Sequence, residues 1–522
     1  MSNPRWRAPS EDGAVLCVPE YHQLPNLVAQ NQQAISDINV SIGGRPYHEA
    51  RQLAWESLQQ TTTQWAEWAG VAQTPLRRPL LMTGHQPELY HPGVWAKNVG
   101  IHLLTHQLAG SGLNLNVDSD VSKTTNLKVP ISQTEKHDQQ LAYGPPHPPL
   151  PYEDWQCHDE TAFAQVSEHI AEASRKWPWK PVFPEFWKGV LQQTKRTSNI
   201  PNRWLLARHQ WERQHEIANH EILMSQWCTT PFFRWLLSVF IADADHFASV
   251  YNQELERYRK EHRIRSANHP VADLKHSTDL VELPFWAWQE GTHQRCRLCI
   301  RKQNNALELI ALQGAHETLI TNLSSGLSTQ DSALIPEHLG WKFRPKALIT
   351  SMMFRLFVAD LFVHGIGGAV YDELTDRIFQ RFWKVKLPSF AVMTATLRLP
   401  WGYVPLREPQ IREVKHDLRT LHWNPDRWLK TPYTPEEQAL IQQKMRLLLQ
   451  PTTPEKLKAR HDQLQNIRET LHHSVEPLEQ KKYQQLDQLQ HQLKHDDHLF
   501  SREHPWVFYP QELLLKLRDR FA

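Results

Sequence analysis

Residues 80–98, LLMTGHQPELYHPGVWAKN, crowd into one connection the side chains that move protons and bind anions. His85 and His91 are candidate acid–base groups, because imidazole changes charge most readily near neutral pH. Gly84 and Gly93 let backbone N–H groups come close to a bound group. A helix opening at Gly93 would present its positive end to a phosphate or carboxylate. Lys97, about one turn into that helix, is placed to add its charge to the same anion, with Thr83, Gln86 and Asn98 as polar binding neighbours. The structural alternative is a loop pinned by histidine-to-backbone hydrogen bonds.

Two further clusters carry similar chemistry. NVDSDVSK places Asp118 and Asp120 just beyond an expected strand, where paired carboxylates bind a metal, orient an amine or act as a base; Asx-turn capping is the structural counterpart. In RLFVADLFVHGIGGAVYDELTD, read as a helix up to His364, Asp360 and His364 share a face, so the carboxylate orients the imidazole. An Arg355–Asp360 pair fits the same stretch. Gly365, Gly367 and Gly368 then turn the chain into a new helix that begins near Tyr371 and carries Asp372 and Asp376 in its opening turns. A lone Cys-x-x-Cys, Cys296 and Cys299, has no second pair, and on a strand its members point to opposite faces, which discounts it as a metal site.

The elements that must position these residues follow from hydrophobic periodicity. Residues 79–83 read as a strand, 94–108 as a helix and 113–117 as a second strand, the unit from which parallel sheets are built. Ligands of such sheets sit beyond the strand carboxyl ends, where the opening connection lies. Residues 125–200 are rich in Pro and Trp and read as extended surface connection. Residues 203–227 and 231–262 read as helices. VELPFWAW, RCRLCIRK and ALELIAL read as strands, the last two joined across QNN as a hairpin. A helix over 347–364, another from Tyr371 to Trp383 and a strand over 389–399 resume the core. After Pro432, Leu457, Leu464, Leu471 and Leu478 recur every seventh residue, and Pro477 is expected to open the second helix of a helical hairpin.

With 522 residues, 58 basic and 56 acidic side chains and 30 histidines, the chain has the length of several domains and no global field to draw in nucleic acid. The apolar stretch ALITSMMFRLFVADLFVHGIGGAV carries Arg355, Asp360 and His364, so it is expected to be a buried segment and not a membrane span. Five unmatched cysteines and no secretory leader point to the cytoplasm.

Taken together, TGHQPELYHPG, VDSD and RPKALITSMMFRLFVADLFVHGIGGAVYDELTDRIFQRFW resemble the bacillithiol synthase family of cysteine-adding enzymes. The resemblance implies an α/β fold with a Rossmann-like parallel-sheet core, a mixed, helix-rich insertion and a C-terminal coiled-coil arm. It places Thr83, Gly84 and Gln86 in the family's loop, with His85 replacing a glutamine. Asp118 and Asp120 fall in its acidic segment, Gly365, Gly367 and Tyr371 in its glycine turn with Gly368 where the family has glutamate, and Arg344 and Pro345 in its Arg-Pro. On this reading residues 1–124 and 336–432 form the core, 125–335 the insertion, 433–500 the arm and 501–522 a segment returning to the core.

The expectation is a small-molecule ligase or transferase that condenses a polar metabolite, with His85, His91, Asp118, Asp120 and His364 catalytic and Arg344, Arg355, Asp360 and Asp372 among the binding residues. The ligand would be a nucleotide or another phosphate-bearing molecule. Two alternatives stay open. One is a nucleotidyltransferase holding ATP at Gly93, since His91-Pro92-Gly93-Val94 partly matches the His-x-Gly-His signature of such enzymes. The other is a noncatalytic scaffold that self-associates, as a homodimer, through its leucine seam.

Overall fold

The computed structural model describes residues 6–72, 74–122, 124–130, 138–144, 147–303, 306–323, 340–402, 407–451, 453, 456–496 and 501–521. The chain separates into two compact units. One comprises residues 1–129, 139–399 and 502–522, the other 130–138 and 400–501.

The first unit is a mixed α/β structure. It opens with strand β1 (Val15–Val18), helix α1 (Leu24–Ser36), the short pair β2 (Ser41–Ile42) and β3 (Arg45–Pro46), and α2 (Tyr47–Ala69). Then come β4 (Leu80–His85), α3 (Pro92–Gln107) and β5 (Ser111–Asn116), the strand–helix–strand unit expected from periodicity. A hairpin of β6 (Asn126–Val129) and β7 (Gln139–Ala142) leads to α4 (Glu160–Ser174), α5 (Phe183–Gln192), α6 (Ile200–Gln214), β8 (His220–Leu223), α7 (Met224–Trp227), α8 (Pro231–Ala242) and α9 (Ala244–Glu261). Strands β9 (Leu280–Gln289), β10 (Cys296–Gln303), β11 (Ala306–Gln313), β12 (His316–Leu323) and β13 (Trp341–Pro345) follow. The chain then returns through α10 (Ala347–Phe357), β14 (Leu361–His364), α11 (Ile366–Phe382) and β15 (Phe390–Ala395).

The central sheet has six strands in the order β1-β15-β14-β4-β5-β8, parallel except for β1 at one edge. Its inner strands are short apolar runs, as strands covered on both faces must be. Leu80 and Met82 of β4 join the core made with α2, α8 and α10, while Leu81 takes the alternate face. Helix α3 packs on β4, β5 and β15. A second, antiparallel sheet runs β12-β11-β10-β9-β13. Val281, Leu283, Phe285 and Ala287 turn one face of β9 into the same core, so Glu282, Pro284 and Trp286 turn the other way.

Four expectations are corrected. The helix expected over 347–364 ends at Phe357, and Leu361–His364 is a strand between β4 and β15. Asp360 fixes the switch: it accepts from the Leu80 amide at 2.7 Å and pairs with Arg51 at 2.9 Å and Arg78 at 2.8 Å. Asp360 and His364 therefore share no helix face, and Arg355 is not the partner of Asp360. The helix expected over 203–227 is interrupted by β8, which pairs in parallel with β5. Each of these strands is only four residues long, too short to show a periodicity of its own, which explains both errors. The stretch read as extended connection, 125–200, holds α4 and α5, whose Phe163, Phe183 and Trp187 form buried aromatic contacts. The hairpin QNN lies partly outside the described residues, though β10 and β11 pair as expected.

The fourth correction concerns the second unit, built from α12 (Arg407–Trp423), α13 (Pro435–Leu449) and α14 (Leu457–Asp496). Helix α14 runs unbroken through Pro477, so no hairpin forms there. Pro477 sits on an exposed face, where the carbonyl its missing N–H leaves free is open to solvent. The leucine seam packs inside this unit only in part: Leu471 is buried with Ile467 and Val475 of α14 against α12, whose Ile411, Val414, Leu418 and Leu421 are buried, while Leu464 and Leu478 are half-buried and Leu457 is exposed. Among the described residues no helix is long and apolar enough to cross a membrane.

Candidate functional site

From β4 the chain builds outward through β5 to β8; from β14 it builds the other way to β15. The strand order thus reverses between β4 and β14, and open parallel sheets bind ligands at the carboxyl ends flanking such a reversal. A cavity of about 490 Å³ lies there, a volume that suits a metabolite-sized ligand. Gly84, Gln86, Leu115, Asp120, Phe362 and His364 line it from the strand ends. Glu282, Trp286, Arg295 and Arg297 line it from β9 and β10, and Lys346, Thr350 and Ser351 from the start of α10.

The charges around the cavity match in number but are unevenly paired. Asp120 accepts from Gln86 Nε2 at 3.1 Å and the Val121 amide at 2.8 Å, and Arg295 reaches it at 3.3 Å while stacking on Trp286. Asp273 is held by Arg259 at 2.7 Å. Glu282 is shared: Lys346 Nζ lies at 2.5 Å and Arg297 only at 3.8 Å. Three cations (Arg295, Arg297, Lys346) and three carboxylates (Asp120, Asp273, Glu282) line the cavity, and with Asp273 engaged by Arg259 from outside the lining, Arg297 is the least closely paired of the cations. Burial lowers the pKa values of Arg295 and Lys346, Asp120 and Glu282 respectively opposing it. Both cations would gain from a further anion.

His364, at the carboxyl end of β14, is the histidine that lines this cavity. Its Nε2 lies 2.6 Å from Asp372 Oδ2. Burial pushes the Asp372 carboxyl up, but His364 and Arg355 outweigh it and hold it at about 2. Arg355, buried under Phe390, contacts Asp372 at 2.9 Å and Asp376 at 2.8 Å. Asp372 thus stays ionised beside the imidazole. Gly368 keeps the surroundings of the ring open, for a Cβ there would lie 2.8 Å from His364 Nδ1.

The other sequence candidates go elsewhere. His85 turns away from the cavity to Tyr90, 3.5 Å from its hydroxyl, and burial, Arg208 and Lys97 hold its pKa well below the ordinary value. Asn98 donates to Glu212 at 2.9 Å in the same buried polar layer. Thr83 bridges β4 to the Val363 carbonyl at 2.9 Å. Lys97 donates to the Gly84 carbonyl at 2.7 Å, its pKa pushed down to about 7 by burial. His91 caps α3, accepting from the Gly93 amide at 3.1 Å; burial, Arg502 and Lys97 bring it to about 3. The amino end of α3 is not an open anion seat: a Cβ on Gly93 would meet Arg502 at 2.3 Å and the Ala395 carbonyl at 2.4 Å. Arg344 is locked on Glu153 at 2.7 Å and 2.9 Å. Gly365 caps α11 and Gly367 lies in its first turn, both with open space around them, and Tyr371 packs against the core.

Asp118 and Asp120 part company just beyond β5. Asp118 is buried against α7, accepting from the Ser225 amide at 2.8 Å and bonded to its hydroxyl. Burial, with Glu153 adding, raises its pKa to about 7. A folded-state value above the unfolded one favours the folded protein while the group is protonated. Asp118 accordingly stabilises fully below about pH 4, and that contribution disappears as pH rises to about 7. Asp118→Asn is expected to abolish this slope, read from urea midpoints between pH 4 and 8; an unchanged slope contradicts the assignment.

Sequence reasoning missed the cationic side of the cavity. The signal was present in β9: Glu282, Pro284 and Trp286 alternate with core residues, and an acid inside an apolar strand needs a partner. No protein-family model matches the chain, and no curated protein matches it.

Proposed function

We propose that the protein is a ligase- or transferase-like enzyme with a Rossmann-like core that adds or condenses a small metabolite bearing a carboxylate or phosphate. The observation that carries this reading is the juxtaposition, in one cavity at the strand-order reversal, of the His364–Asp372 pair with Arg297, a cation held only at 3.8 Å by a carboxylate it shares with Lys346. The anionic group sits among Arg295, Arg297 and Lys346, and Leu115, Pro284 and Phe362 take an apolar portion. His364 accepts the proton of an amine or thiol and so raises its nucleophilicity, with Asp372 holding the imidazolium. The resemblance to bacillithiol synthase supports the same class of chemistry through Gly84, Gln86 and the glycine turn after His364.

Small molecules released from the purified, denatured protein and identified by mass spectrometry are expected to include an anionic metabolite that Arg297→Met fails to retain. Recovery of neutral or cationic compounds alone, or equal retention by the variant, contradicts the proposal.

A further inference from the structure

Within the second unit, α12 and α14 bring His422, His472 and Glu479 together, one donor atom from each lying within 4.8 Å of the others. His422 stands in the last turn of α12. His472 and Glu479 are about two turns apart on α14 and so share a face. His472 Nε2 lies 3.2 Å from Glu479 Oε2, is shielded from solvent and makes no hydrogen bond. Two donors on one tetrahedral zinc ion, each at about 2.0–2.1 Å, stand roughly 3.4 Å apart, so this pair already has the spacing of two ligands. The exposed His422 ring lies with its centroid 6.2 Å from that of His472, and one of its nitrogens already stands within 4.8 Å of the other two donor atoms.

Nearby cations are engaged and do not neutralise Glu479. Arg468 lies over Trp423 at 5.0 Å, and Lys482 pairs with Asp417 at 2.7 Å. The comparable group of His209, Glu212 and Glu221 fails this criterion, because the Arg208 guanidinium already bonds both carboxylates, at 2.5 Å and 2.8 Å.

We propose that His422, His472 and Glu479 bind a divalent transition-metal ion of the zinc class, with water completing a four-coordinate shell. The ion ties the end of α12 to α14. The donor set of two imidazoles and one carboxylate favours zinc over calcium or magnesium, which prefer oxygen alone.

The test uses the full-length protein stripped with EDTA and titrated calorimetrically with Zn²⁺, then with Co²⁺ followed by visible absorption. One high-affinity ion per chain is expected, weakened by roughly tenfold or more in His422→Asn and in His472→Asn, with Co²⁺ giving the intense visible bands of a tetrahedral site. His473→Asn, beside the site on the outer face, leaves the titration unchanged. Because His422 is exposed, its variant folds as the parent does. Equal zinc affinity in the parent and His422→Asn, or no stoichiometric binding, overturns the proposal.

Discussion

Methionine in place of Arg208 is expected to destabilise the protein by about 3–5 kcal/mol, the largest single-residue loss in the first unit. Arg208 is the only guanidinium among the described residues that bonds both Glu212 and Glu221, two carboxylates buried between α3, α6 and β8. Asn114 and Asn116 donate to Glu221 at 2.8 Å and 2.7 Å, and Trp95 donates to Glu212 at 2.9 Å. Burial raises the Glu212 pKa, Arg208 opposing it. Glu221 is brought well below its ordinary value against burial, chiefly by Arg208. Without the arginine, like charges face each other in a medium that cannot solvate them, and one takes up a proton. Denaturant unfolding at pH 7.5 measures the loss, which shrinks at pH 5 as that proton becomes easier to acquire. A change below about 1 kcal/mol at pH 7.5 would show that the layer is not held by this ion triad.

The second large effect is catalytic. His364→Gln keeps a polar ring-sized side chain beside Asp372 but cannot cycle a proton, so turnover of the retained metabolite is expected to fall by roughly 10²–10⁴-fold. Its binding changes far less, since Arg295, Arg297 and Lys346 supply the anion contacts. Pre-steady-state rates and equilibrium binding on the same preparation separate the two. A comparable loss in both would make His364 a binding residue only.

Much of the sheet was legible. The alternation of β5 and the helical spacing after Pro92 are local signals, and they located β4, α3 and β5 without knowledge of the rest. His364, Asp120 and Gln86 were legible as polar groups at element ends, a position that depends on sequence punctuation alone. Their partners were not. Whether His364 meets Asp360 or Asp372 turns on a four-residue strand that has no periodic signature of its own, and the wrong element assignment exchanged one carboxylate for the other. The opening connection misled in a different way: His85, His91 and Lys97 carry catalytic side-chain types, but α3 draws them beneath the sheet edge, where burial lowers their pKa values and packing closes the helix end. Arg295, Arg297 and Lys346 reach the cavity only because the antiparallel sheet folds back over residues far away in the chain, a long-range contact no local pattern encodes. In the tail, the heptad leucines lie on one long helix, α14, with only Leu471 of the four buried, and Pro477 suggested a break that an exposed helix face made unnecessary.

The central claim is that the cavity beyond β4 and β14 is where the metabolite binds. Native mass spectrometry of the parent and of Thr350→Trp, whose indole projects into that cavity from α10, tests it most directly. A bound small-molecule mass is expected on the parent and is expected to be absent from a folded Thr350→Trp protein. The same adduct on both would place the ligand elsewhere and contradict the account.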